Sequence, residues 1–336
     1  MREKHAFICL LLAVVCVALP AVMRPLKAQD TIGSDPDKTY SKTTYTYKVA
    51  GQNKLHADVY RKPGDEILPA ILWIHGGALI FGTRLWVPPY QLEAYIKAGF
   101  AVVAIDYRLA PETKLPEIIG DLKDAYAWLR ADAPGLCGID PERIAVIGHS
   151  AGGYLTLMSG FCLDPRPDAL VAFYGYGDIT GPWYSQPDPF YNRKPAVPEE
   201  QAFQAVGDTV IFTSPSAKPA RDRGKFYLYC RQQGIWPQQV GGHDPADLDW
   251  YAPYEPLRNV TASYPPTMLL HGEKDTDVPF GQSEMMAKEL KRHGIAFQFI
   301  RNPAWGHGFD GAGPDDTEVR EAFSRVLAFL KKHVKP

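Results

Sequence analysis

Five short runs of continuously apolar residues punctuate the chain. They lie at residues 69–75 (PAILWIH), 100–107 (FAVVAIDY), 143–149 (RIAVIGH), 169–174 (ALVAFY) and 267–271 (TMLLH). A strand with one wet face alternates polar and apolar residues, so runs without alternation predict strands covered on both faces. Between them, Ile118, Leu122, Ala125 and Leu129 recur at helical spacing, as do Val319, Phe323, Val326 and Leu330. Strands alternating with helices predict an α/β fold: a mostly parallel central sheet, helices on both faces, right-handed crossovers. A hairpin-like pair at 44–49 and 55–60, around Gly51-Gln52-Asn53, predicts an antiparallel edge.

The alternation breaks between about residues 177 and 259, a stretch rich in proline, tyrosine and tryptophan with no long strand pattern and one helical segment near 225–233. An insertion of this kind in a regular α/β frame predicts a lid over one end of the sheet rather than a second domain. The main domain is expected over 46–336, preceded by a polar lead-in at 29–45. Residues 1–28 have a short basic head, an apolar run from Ala6 to Val22 and a small residue, Ala28, before a polar stretch. That layout predicts a signal peptide cleaved near Ala28 and an exported protein, periplasmic or extracellular, with no stable membrane insertion after cleavage. Export would leave Cys137, Cys162 and Cys230, enough for at most one disulfide. No cysteine or histidine cluster has metal spacing, so no metal is expected. A net charge of −2 gives no electrostatic reason to expect a nucleic-acid partner.

The chemistry concentrates at the ends of the predicted strands. Gly148-His149-Ser150-Ala151-Gly152 joins a strand run to a helical run, the setting in which a G-x-S-x-G turn projects a serine oxygen above a sheet. A serine hydroxyl needs a base, itself oriented by a carboxylate. Among nine histidines, His307 is the best placed, in a glycine-flanked loop between the strand-like 297–300 and the last helix. His75, His149, His243 and His271 read instead as turn-stabilising. The loop after residues 267–271 offers two carboxylates, Asp275 and Asp277, in the order that follows serine and precedes histidine. After another strand, His75-Gly76-Gly77-Ala78 can aim the N–H groups of Gly77 and Ala78, with that of Ala151, at a developing oxyanion. Trp183, Tyr184 and Trp236 in the insertion are the candidate substrate-contacting residues, forming a pocket wall.

With Asp106-Tyr107-Arg108-Leu109-Ala110-Pro111-Glu112 and His271-Gly272…Asp275…Val278-Pro279 added, these motifs resemble the α/β-hydrolase superfamily. The nearest likeness is its esterase/lipase branch, the hormone-sensitive-lipase-like and feruloyl/acetyl-esterase-like enzymes. The resemblance spans Ile71 to Phe309 and implies an α/β-hydrolase fold with an inserted lid. It also implies a serine esterase acting on a small-molecule ester with no cofactor, and selects Asp275 over Asp277 as the acid. Ala78 departs from the third glycine frequent in that branch, which leaves the backbone donor but adds a methyl to the pocket. Two rivals compete: a serine peptidase of the prolyl-oligopeptidase type, which usually adds a propeller whose repeats are not found here, and a catalytically silent binding member, expected to lack Ser150 or His307.

Overall fold

The computed structural model describes residues 29–31, 39–213 and 218–334. Its frame is a nine-stranded sheet formed by β1 (Gln29–Thr31), β2 (Ser41–Ala50), β3 (Asn53–Arg61), β4 (Leu68–Ile74), β5 (Ala101–Ile105), β6 (Ile139–His149), β7 (Ala169–Phe173), β8 (Thr267–Gly272) and β9 (Phe297–Asn302). Their order is β1-β2-β3-β5-β4-β6-β7-β8-β9. The first three strands are antiparallel to their neighbours, and the six from β5 to β9 run parallel.

The continuous apolar runs are explained by two cores, one on each face. In β4, Leu72 and Ile74 pack under the helices Leu115–Ala131 and Ala151–Cys162, while Ile71 and Trp73 meet the helices Pro89–Lys97 and Thr317–Val334. The predicted helix faces carry this burial: Ile118, Leu122, Ala125 and Leu129 are closed to solvent on one side, and Val319, Phe323, Val326 and Leu330 are buried on the other. The hairpin forms as expected, turning at Gly51-Gln52. Part of the polar lead-in at 29–45 joins the sheet, where β2 begins at Ser41 and β1 adds Gln29–Thr31 to its edge. Backbone pairing along an open edge recruits these residues whatever their polarity.

Between β7 and β8 the chain makes a helical excursion that includes Pro182–Ser185, Glu199–Phe203, Lys218–Gln233, Trp236–Gly241 and Leu248–Tyr251. Two of its side chains tie it to the loop after β4. Trp236 Nε1–H donates to the Ala78 carbonyl at 3.0 Å, and Arg223 Nε–H donates to the Ile80 carbonyl at 2.6 Å while pairing with Glu112 at 2.8 Å. Cys137, Cys162 and Cys230 are unpaired. Among the described residues no helix is long and apolar enough to cross a membrane; the predicted signal segment, residues 1–28, lies outside them.

Candidate active site

Ser150, Asp275, His307 and the Gly76–Ala78 loop all follow the C-terminal ends of parallel strands β6, β8, β9 and β4, the edge at which open α/β sheets form their crevices. Ser150 sits at φ 56° and ψ −117°, a left-handed conformation for a side-chain-bearing residue. Such strain persists only where the surroundings impose it. Here they do. A Cβ on Gly152 would lie 2.1 Å from the Ile74 carbonyl oxygen, and one on Gly148 would lie 2.2 Å from the Gly152 carbonyl oxygen. The glycines therefore allow the helix Ala151–Cys162 to start directly against β4 and force the sharp turn that lifts Ser150.

His307 Nδ1 lies 2.8 Å from Asp275 Oδ2, and the Asp275 side chain is closed to solvent. Oδ1 of the same carboxylate accepts the Asp277 and Val278 N–H groups at 2.8 and 2.9 Å, fixing its plane. His271, read from sequence as a turn residue, adds a third support, with Nε2 3.2 Å from Asp275 Oδ2 and Nδ1 2.8 Å from Ser283 Oγ. Burial works to raise the Asp275 carboxyl, but hydrogen bonds from His271 and His307 outweigh it and hold the group well below the usual carboxylate range. Burial likewise works against a charged His307. The hydrogen bond to Asp275 and the charge of Asp277 prevail and raise the imidazole above its ordinary value. With Nδ1–H directed at Asp275, a neutral ring carries its lone pair on Nε2. Asp277 does not take the orienting position. Its Oδ2 stands 3.3 Å from Nε2, at the opposite end of the ring.

A second network braces His307 from the side. The Tyr174 ring lies over the imidazole with centroids 4.6 Å apart. Its hydroxyl donates to Asp310 Oδ1 at 2.7 Å, and Asp310 Oδ2 accepts from Gln91 Nε2 at 2.8 Å and faces His149 Nε2 at 3.2 Å. Neither Tyr174 nor Asp310 emerged from the sequence, although Asp310 follows the His307-Gly308-Phe309 motif directly.

The loop after β4 turns two backbone N–H groups away from its internal hydrogen bonds. The Gly76 carbonyl faces His75 Nδ1 at 2.7 Å, and the Gly77 carbonyl accepts the N–H groups of Ile80 and Phe81, each at 2.9 Å. A trans peptide directs its N–H opposite to its carbonyl, so the N–H groups of Gly77 and Ala78 face away from those partners. Gly77 requires glycine: its φ is +110°, and a Cβ there would lie 1.9 Å from the Phe81 carbonyl oxygen. Ala151 opens its helix, where the first N–H groups have no partner in the helical ladder. Ser150, His307, Gly77 and Ala78 line one cavity of about 350 Å³.

The fold agrees with what the chain resembles among known proteins. Residues 57–180 match the BD-FAE family model, and residues 227–336 match that of the prolyl oligopeptidase family. The crystal structure of an alpha/beta hydrolase superfamily protein from Enterococcus faecalis superposes with a TM-score of 0.65 at 24 % identity, covering 87 % of this chain and 98 % of that one. A Pyrobaculum calidifontis esterase superposes with a TM-score of 0.59 at 25 % identity, covering 87 % and 84 %. The chain has an α/β-hydrolase fold. Its likeness to curated proteins includes the non-reducing polyketide synthase Preu6 of Preussia isomera, 28 % identical over 87 % of this chain but only 15 % of that protein. The chain thus spans a small fraction of the length of the curated relatives it matches, 15 % of the first and 13 % of the second.

Not every predicted site residue reaches the cavity. Trp183, Tyr184 and Trp236 stack on one another behind it, with ring centroids 3.6 Å apart for Trp183–Tyr184 and 4.0 Å for Tyr184–Trp236. The Arg231 guanidinium sits against Trp183 and Tyr184 at 5.4 and 5.0 Å. A buried cation draws aromatic faces toward it, and that attraction consumes the surfaces expected to meet substrate. The cavity wall comes instead from Phe81, Trp86, Tyr174 and Tyr227. Trp236 is closed to solvent, so Trp236→Ala is expected to act first on stability. The expected loss is about 3–5 kcal/mol, read as a lowered denaturant midpoint. An unchanged midpoint with an altered acyl preference would return Trp236 to the pocket wall.

Proposed function

We propose that the hydrolase is a serine-dependent carboxylic ester hydrolase working through an acyl-enzyme on short-chain or aromatic-acid esters. The observation that carries this is the strained Ser150 elbow opening into the same cavity as His307, whose far nitrogen is bound to Asp275. Ser150 Oγ attacks the ester carbonyl carbon as His307 Nε2 takes its proton, and Asp275 stabilises the imidazolium so formed. The carbonyl oxygen becomes an anion facing the N–H groups of Gly77, Ala78 and Ala151, where each donor contributes about 3–4 kcal/mol to the transition state. When the intermediate collapses, the carbon–oxygen bond to the alcohol breaks and Nε2–H protonates the leaving oxygen. Water then adds to the acyl-enzyme by the same route and regenerates Ser150. The aromatic wall of Phe81, Trp86, Tyr174 and Tyr227 favours a flat or short acyl group.

The match of residues 227–336 to the prolyl oligopeptidase family favours one rival, a serine peptidase. A matched nitrophenyl ester and aminoacyl nitroanilide separate the two. The ester is expected to exceed the anilide in kcat/KM by at least about a hundredfold, and equal values would move the assignment to the peptidase. The basic head and apolar run before Gln29 support an exported enzyme.

A further inference from the structure

Asp277, passed over as the catalytic acid, has a carboxylate whose two oxygens lie in different settings. Oδ1 accepts the hydroxyls of Tyr191 and Tyr227, each at 2.6 Å, and Arg231 Nη1 at 3.0 Å. Arg231 is itself closed to solvent and also paired with Asp188. Oδ1 is therefore saturated, and the carboxylate cannot rotate without breaking three bonds. Oδ2 has none of these partners. It stands 3.3 Å from His307 Nε2 without a hydrogen bond to it, and Asp277 lines the cavity that holds Ser150.

The position of Nε2 gives Oδ2 its meaning. When the tetrahedral intermediate collapses, Nε2–H must reach the leaving oxygen, so that oxygen lies within hydrogen-bond reach of Nε2. Oδ2 is a neighbour of the same nitrogen and so borders the alcohol half of the substrate. An alkyl alcohol would bury this oxygen against carbon, removing its water and offering no donor in return. The two oxygens of a gauche vicinal diol are about one hydrogen-bond length apart. A hydroxyl on the carbon next to the ester-bearing one can therefore reach Oδ2 while the leaving oxygen stays at Nε2. Arg231 and two phenols already supply positive charge and donors on the Oδ1 side. What remains at Oδ2 is an acceptor for one neutral donor.

We propose that Asp277 Oδ2 reads the alcohol half of the ester and selects alcohols bearing a hydroxyl adjacent to the esterified carbon. This inference rests on the esterase reading above, and the two can fail separately. The test compares propyl benzoate with 2-hydroxyethyl benzoate, a pair differing by a methyl in place of a hydroxyl. The wild-type enzyme is expected to favour the hydroxyethyl ester in kcat/KM by about tenfold to a hundredfold. In Asp277→Asn, the three donors at Oδ1 require the amide oxygen there, so the amide NH₂ turns to the cavity and replaces an acceptor with a donor. The preference is expected to fall to within about threefold. Asp277→Ala, which removes the acceptor outright, should lose the preference as well. The ratio is internal to each folded protein, so a general loss of activity does not mimic the effect. Equal rates on the two esters in wild type, or an unchanged ratio in either folded variant, overturn the role of Asp277 and leave the esterase standing. No turnover of either ester by wild type overturns the esterase reading itself.

Discussion

Asp275→Asn is expected to lower kcat by about three to four orders of magnitude. The geometry states why. The Asp277 and Val278 N–H groups hold Oδ1 at 2.8 and 2.9 Å, so in the variant they claim the amide oxygen. The amide NH₂ then points at His307 Nδ1, which must become an acceptor, and the ring proton moves to Nε2. An Nε2 that carries a proton cannot take one from Ser150. Asp277→Asn should cost far less, because Asp277 does not hold Nδ1 and leaves the tautomer set by Asp275 in place. Steady-state kcat for the two variants on one nitrophenyl ester gives the ranking, and the opposite order would reassign the acid.

Ser150→Ala should cut kcat by at least about a thousandfold with little change in the thermal melt. Alanine retains the Cβ that the turn already accommodates at φ 56°, and the glycines on either side are untouched. A serine-directed phosphonate should label wild type at Ser150 alone. A labelled peptide from any other part of the chain, found by mass spectrometry, removes Ser150 from the chemistry.

Much of the frame was legible because it depends on local pattern. Continuous apolar runs report two covered faces wherever they occur, and the helices over them declare their buried sides by spacing. The elbow was legible because Gly148 and Gly152 leave room that no other residue could. The site's supports were not. His271 reads as a strand-end histidine until its ring is seen 3.2 Å from Asp275. Tyr174 and Asp310 are 136 positions apart and meet only when β7 and the final loop are side by side. The aromatic residues of the excursion misled for a related reason. Composition announces that tryptophans will bury surface, but it does not say against what, and the buried guanidinium of Arg231 claimed the stack that had been expected to face substrate. The two aspartates of the loop after β8 are told apart only in three dimensions, where their carboxylates meet opposite ends of one imidazole.

The bonds from Trp236 to the Ala78 carbonyl and from Arg223 to the Ile80 carbonyl bear on how this protein could change over evolutionary time or at an engineer's bench. The excursion between β7 and β8 looks like an interchangeable module, a segment to be swapped for a relative's in order to retune selectivity. It is not separable from the loop after β4, because its side chains anchor two carbonyls of that loop, those of Ala78 and Ile80, next to the proposed oxyanion donors Gly77 and Ala78. A grafted segment lacking the indole and guanidinium donors would arrive with a new pocket and a loosened oxyanion loop together. Selectivity and speed are thus inherited as a pair, and useful variants will be found by altering cavity-facing positions such as Phe81 and Tyr227 within the existing segment and loop rather than by exchanging the segment whole.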